Sequence, residues 1–85
     1  MPAQMPPLHE IEYSDEVKFY FIDNGAYTGN LLGEIERLRF SPTGLPETNY
    51  TEVEPGHIVW EILGHLVFYW QREGKLLITV VKPLV

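Results

Sequence analysis

Residues 57–81, HIVWEILGHLVFYWQREGKLLITVV, constrain the fold more than any other part of this chain. β-Branched and aromatic side chains dominate the stretch, and these types suit a pleated, half-buried surface. Two turn signals divide it into three strands. Gly64-His65 is a Gly-X pair suited to a two-residue hairpin, and Glu73-Gly74 centres the second turn. With those loops Leu63 faces Leu66, Ile62 faces Val67, Trp60 faces Tyr69, Tyr69 faces Ile78 and Val67 faces Val80. One sheet face then carries Ile58, Trp60, Ile62, Val67, Tyr69, Leu76, Ile78 and Val80. The other carries Val59, Glu61, Leu63, Leu66, Phe68, Trp70, Leu77, Thr79 and Val81. A loop one residue longer in either turn swaps the faces of one strand, because side chains alternate with a period of two. The meander is apolar on both faces, so it needs two covers.

The chain offers little to provide them. Its 85 residues make one domain, 1–85, of the size that buries roughly 60–65% of its unfolded surface. Apolar residues make up 45% and aromatic residues 13%, which argues against a disordered chain. Cysteine is absent, which rules out a disulfide framework and a cysteine zinc site. No apolar run reaches the length of a membrane span, and MPAQMPPL lacks the basic and apolar regions of a signal peptide, so a cytoplasmic protein that engages no membrane is expected.

Net charge is −6, with only six basic residues: Lys18, Arg37, Arg39, Arg72, Lys75 and Lys82. A protein that grips nucleic acid through phosphates carries a basic patch, and the sequence shows none. The balance points to a protein partner.

Upstream of the meander the reading is helical. Residues 1–8 are Pro-rich and expected to be extended. Residues 9–13, HEIEY, alternate as a short strand with Ile11 and Tyr13 on one face. Ser14 is an N-cap candidate, followed by Asp15 and Glu16 where the helix dipole favours anions. Val17, Tyr20 and Phe21 fall on one face of that helix, and Asp23-Asn24-Gly25 stops it, with Gly25 suited to a left-handed cap. A second helix is expected over 27–40. Leu31, Ile35 and Leu38 form its stripe, Leu32 widens it, and Glu34, Glu36, Arg37 and Arg39 lie off it. Gly29 and Gly33 weaken this helix by roughly 1 kcal/mol each and imply close packing. Pro42, Gly44 and Pro46 mark residues 41–50 as a loop. Residues 51–54 form an extended lead-in to the Pro55-Gly56 turn. The whole is an α+β domain: a two-helix hairpin on one face of a small, mainly antiparallel sheet of about four strands, in the order β-α-α-β-β-β. Its core is expected to hold Val17, Phe21, Leu31, Ile35, Leu38, Trp60, Tyr69 and Ile78.

This order, together with PGHIVWEILGHLVFYW, KLLITVVKP and the helical piece SDEVKFYFIDNGAYTGNLLGEIERLRF, resembles the RelE/ParE superfamily of toxins from bacterial type II toxin–antitoxin systems. The resemblance covers residues 9–83. It implies a toxin component neutralised by an antitoxin protein, with the ribosome and its mRNA, or DNA gyrase, as the targets known for such toxins. It also implies, for the ribonuclease branch, an arginine early in the strand after the glycine turn and basic, His or Tyr residues after the last strand. Here the first position is Leu66 or Val67, and the second offers only Lys82. Cleaving RNA needs a group to stabilise the developing phosphorane charge and a pair to move protons. Lys82, Arg37 and Arg39 are the only, weak candidates, so the reading leans away from an enzyme, and toward a toxin-like protein that acts by binding. The alternatives are a ribosome-dependent mRNA endonuclease with a rearranged site and a repurposed interaction module that homodimerises.

No cofactor or metal is expected, since His9, His57 and His65 show no converging ligand spacing. Glu61 reads as a solvent-facing carboxylate. Of the aromatic residues, Trp60, Phe68, Tyr69 and Trp70 are placed in the core or at a protein interface rather than against nucleobases. The expected partner surface is Leu63, Leu66, Phe68, Trp70 and Leu77, covered by an antitoxin segment or by a second copy of the chain.

Overall fold

Ser14 begins the first helix as its side chain dictates. In the computed structural model, which describes residues 6–84, Val17 donates its N–H to Ser14 Oγ at 3.2 Å. The same hydroxyl donates to Thr79 O at 2.9 Å, and Ser14 N–H donates to Ile78 O at 2.9 Å. One residue therefore caps helix α1 (Asp15–Asp23) and ties it to the last strand. Helix α2 (Gly25–Glu36) follows after Asn24 alone and tightens into a 3-10 turn at Arg37–Phe40.

Five strands complete the domain: β1 (Glu10–Tyr13), β2 (Tyr50–Glu54), β3 (His57–Ile62), β4 (His65–Arg72) and β5 (Lys75–Pro83). They form one mixed sheet in the order β1-β5-β4-β3-β2. β1 runs parallel to β5 and every other pair is antiparallel. The helices supply the crossover that a parallel β1–β5 pair requires. The fold is α+β, with both helices packed against one face of this sheet. Val17, Leu31, Ile35 and Leu38 meet Ile11, Ile58, Trp60, Val67, Tyr69, Leu76, Ile78 and Val81 in a single core. Among the described residues no helix is long and apolar enough to cross a membrane.

Several local expectations are corrected. The extended lead-in is a full edge strand, β2, so the sheet has five strands rather than about four. Gly25 does not cap α1 in a left-handed conformation; it opens α2, because Asn24 alone makes the break. The second helix spans 25–36 rather than 27–40, and Leu38 is buried from the 3-10 turn. Phe21 is half-buried, packing edge-on to Tyr13 and Tyr20 rather than sitting inside the core. Gly29 and Gly33 are not points of close approach: a Cβ at either would meet nothing within 4 Å. Of the Pro-rich segment, residues 1–5 lie outside the described residues.

Two corrections concern the meander itself. The first loop is Leu63-Gly64, not Gly64-His65, because Ile62 pairs with His65. Trp60 therefore faces Val67 and Ile58 faces Tyr69. The register moves by two residues, an even number, so the strands keep their faces. The Glu73-Gly74 loop stands where expected, with Arg72 opposite Lys75 and Tyr69 opposite Ile78. Beyond that point a β-bulge intervenes: Phe68 pairs with Val80, leaving Thr79 without a partner. The extra residue inverts the remainder of β5, so Val81 enters the core and Val80 passes to the other face. Ser14 holds the two carbonyls at this bulge, those of Ile78 and Thr79.

The first loop also carries an anomaly. Leu63 has φ 49° and Gly64 φ 73°, two successive left-handed residues that match the hairpin twist and normally call for Asn-Gly. A leucine there is disfavoured by roughly 1–2 kcal/mol. Its side chain is 56% exposed, so little burial compensates. Leu63→Asn is expected to stabilise the domain by about 1 kcal/mol, raising the melting temperature by roughly 4–8 °C. Differential scanning calorimetry of the two proteins checks it, and an unchanged or lower melting temperature would refute the turn argument.

Candidate functional site

β4 is the central strand of the sheet, and its outward residues Leu66, Phe68 and Trp70 form the middle of the face that the helices leave open. Val59 and His57 flank them on β3, and Leu77 and Val80 on β5. Each of these is only half-buried, whereas their alternating neighbours Ile58, Val67, Tyr69, Ile78 and Val81 are buried. The difference arises because both helices and Leu45 of the 41–49 loop pack on the other side.

The face has an apolar centre and a charged margin. The His57 ring stacks flat on Trp70, with centroids 4.2 Å apart and planes 5° apart. Arg72 lies over the Trp70 ring at 5.4 Å, and Lys82 lies over Phe68 at 5.4 Å. Each cation covers the π-face of an aromatic side chain. On one side Lys75 Nζ pairs with Glu12 Oε1 at 3.0 Å. On the other, Glu61 sits across from Leu66. Four of the five residues expected to form the partner surface, Leu66, Phe68, Trp70 and Leu77, share this face. Leu63 does not: it stands in the loop at the end of the hairpin and lines a cleft on the helical side.

The candidate cations do not converge. Arg37 pairs with Glu34 at 3.3 Å on the helical side. Arg39 donates to Glu36 at 2.6 Å from the same layer, and Tyr13 donates its hydroxyl to the same carboxylate. Lys82 projects from the opposite, open face. Burial opposes the charge on Glu36, but the hydrogen bonds from Arg39 and Tyr13 outweigh it and hold the carboxyl below its ordinary range. Burial, then the Glu36 carboxylate, pushes the Tyr13 hydroxyl up. This cluster fastens the 3-10 turn to β1, and no group in it is poised to exchange protons near neutrality.

The histidines are separately engaged. His9 Nε2 lies 2.8 Å from Ser41 O, and His57 stacks on Trp70. His65 Nδ1 is 2.9 Å from Leu63 O, a group that only accepts, so Nδ1 carries the proton. Nε2 then accepts the Tyr20 hydroxyl at 2.7 Å. This pair joins α1 to the hairpin. Pro83 lies across from His65, next to Lys82, but Lys82 points to the other face of the sheet. Among the described residues no group of three His, Cys, Asp or Glu side chains is placed to hold a metal ion.

The sequence reading missed an exposed helical ridge. Phe19 is 64% exposed, Ile22 75% and Tyr27 87%. Its signal was present: the run Phe19-Tyr20-Phe21-Ile22 is apolar at four successive positions, and a helix cannot turn all four toward one core. It also missed the cleft, of about 660 Å³, between the 3-10 turn, the 41–49 loop and the end of β3. Its residues are far apart in sequence, so no local pattern announces it.

No protein-family model matches this sequence, and neither a curated protein nor a solved structure matches it.

Proposed function

We propose that this chain is a RelE/ParE-like toxin component of a type II toxin–antitoxin pair, that it works by binding protein rather than by cutting RNA, and that an antitoxin segment neutralises it on the open face of the sheet. The observation that carries this reading is that uncovered face, with Phe68 and Trp70 at its centre. The strand–helix–helix–meander order supports the family resemblance. The separation of Lys82 from Arg37 and Arg39 weighs against a nuclease site, since charge stabilisation requires donors aimed at one point.

The charged margin selects the occupant. A second copy packed sheet on sheet would lie about 10 Å away and interdigitate over the whole face. It would bury Glu12, Lys75, Glu61, Arg72 and Lys82 along with the apolar strip, and buried charges are costly unless well paired. A single partner segment covers the strip of Leu66, Phe68, Trp70 and Leu77 and leaves the margin in water. Large aromatic side chains in such a centre act as binding anchors.

The test is co-expression with the protein encoded beside this one, followed by size-exclusion chromatography with light scattering. Growth inhibition relieved by the neighbour and a hetero-complex are expected. Phe68→Asp should weaken the complex by roughly 30-fold or more, the loss of an anchor of about 2 kcal/mol, with an unchanged circular dichroism spectrum. A homodimer in place of the hetero-complex, a monomer that binds no neighbour, or a Phe68→Asp variant that unfolds would each overturn the proposal.

A further inference from the structure

The outward pole of α1 is apolar. A helix turns about 100° per residue, so buried Val17 and half-buried Tyr20, Phe21 and Asn24 point one way, toward the core. Phe19 and Ile22 share the opposite side, 64% and 75% exposed. Tyr27, 87% exposed, follows in the first turn of α2. Large apolar side chains bare at the pole of a helix gain nothing for the free chain. This ridge belongs to the helical layer, on the other side of the sheet from the open face.

The charges beside the ridge select its occupant. Lys18 flanks Phe19 and Ile22 on one side, Glu16 and Asp23 on the other, and Asp15 continues the ridge toward the helix start. All four are exposed, and among the described residues none of them takes part in an ion pair. Each flank thus lacks the charge that the other carries. We propose that two copies of this chain pair through α1, with the two helices parallel and a two-fold axis running along them. Phe19 then packs on Phe19 of the second copy, and Ile22 on Ile22. The Lys18 flank of each copy faces the Glu16 and Asp23 flank of the other, and symmetry makes this contact twice. An antiparallel pair would set Lys18 beside Lys18 and Asp23 beside Asp23. The one like-charge apposition in the parallel pair is Asp15 with Asp15, in the first helical turn, where the helix dipole eases negative charge. An anionic lipid surface does not suit the ridge, since Lys18 is outnumbered by three carboxylates. The net charge of −6 on each copy is screened over about 8–10 Å, whereas the flanking pairs are in contact. Phe19, Ile22 and the Lys18 stem cover roughly 300–400 Å² per copy, half or less of a standard interface. The dimer is therefore weak, with a dissociation constant on the order of 10–100 µM, and it leaves the open sheet face free.

Sedimentation velocity of the whole protein, run alone from about 1 µM to 1 mM, tests this independently of any toxin role. A monomer–dimer equilibrium is expected. Ile22→Asp should weaken it by roughly 30-fold or more, and Lys18→Glu and Asp23→Lys by about tenfold each, all with unchanged circular dichroism because these side chains are exposed. Mixing Lys18→Glu with Asp23→Lys should restore a dimer containing one of each, since acidic flanks then meet basic ones. Phe68→Asp should leave the dimer intact, which separates this surface from the open face. A wild-type monomer throughout the range, a dimer broken by Phe68→Asp but not by Ile22→Asp, or charge variants that do not rescue each other on mixing would overturn the proposal. So would a monomer that holds the neighbour-encoded protein through Ile22, which would give the ridge to that partner instead.

Discussion

Truncating Ile35 to alanine is expected to remove about 2–5 kcal/mol of stability. Ile35 is fully buried in α2, at the centre of the stripe that joins the helical layer to the sheet. The deletion removes apolar burial and leaves a cavity that neighbouring Leu31, Leu38 and Val17 cannot fill without moving the helix. An 85-residue domain has a total stability of roughly 4–13 kcal/mol, so this one substitution consumes a large share. Urea unfolding followed by tryptophan fluorescence should show a lower midpoint at unchanged slope. A loss below about 1 kcal/mol would mean that the helix is not held by this stripe.

Gly44→Ala is expected to cost about 2–3 kcal/mol. Gly44 has φ +72°, and a Cβ there would lie 2.7 Å from Gln71 Nε2 and 3.3 Å from both His9 Cε1 and Leu76 Cδ2. Gln71 cannot swing away freely, because it donates to Thr43 O. The Gly44 carbonyl is held as well, accepting the hydroxyl of fully buried Tyr69 at 2.9 Å. That bond gives a buried phenol its partner and staples the 41–49 loop over the core. The control is Gly74→Ala: φ is +69°, yet a Cβ would meet nothing within 4 Å. The difference between the two variants isolates the contacts from the backbone strain they share. Equal urea midpoints would show that the loop yields at no cost.

Both variants act on the layer that the sequence described best. The alternation of Ile58 and Trp60, of Val67 and Tyr69, and of Leu76 and Ile78 fixed which face of the meander is buried. It did so even with the first loop misplaced, because the error was two residues and the pleat repeats every two. The stripe of Leu31, Ile35 and Leu38 fixed the phase of the second helix in the same way, and the cap at Ser14 fixed the start of the first. These signals are local: each depends on residues within one or two turns of each other.

What the tertiary structure decided was whatever depends on two distant segments meeting. The bulge at Thr79 lies where Ser14, 65 residues earlier in sequence, holds the adjoining carbonyls; no pattern within β5 announces it, and it alone exchanges Val80 for Val81 in the core. The edge strand β2 is exposed along its whole length, so it carries no apolar alternation and is defined only by its pairing with β3. The proposed partner surface divides for a like reason. Leu66, Phe68, Trp70 and Leu77 share a face by strand periodicity, which the sequence contains. Leu63 leaves them because the loop begins one residue earlier than the Gly-X signal indicated, and it joins Phe40 and Trp60 at a cleft that exists only once helix, loop and strand are assembled.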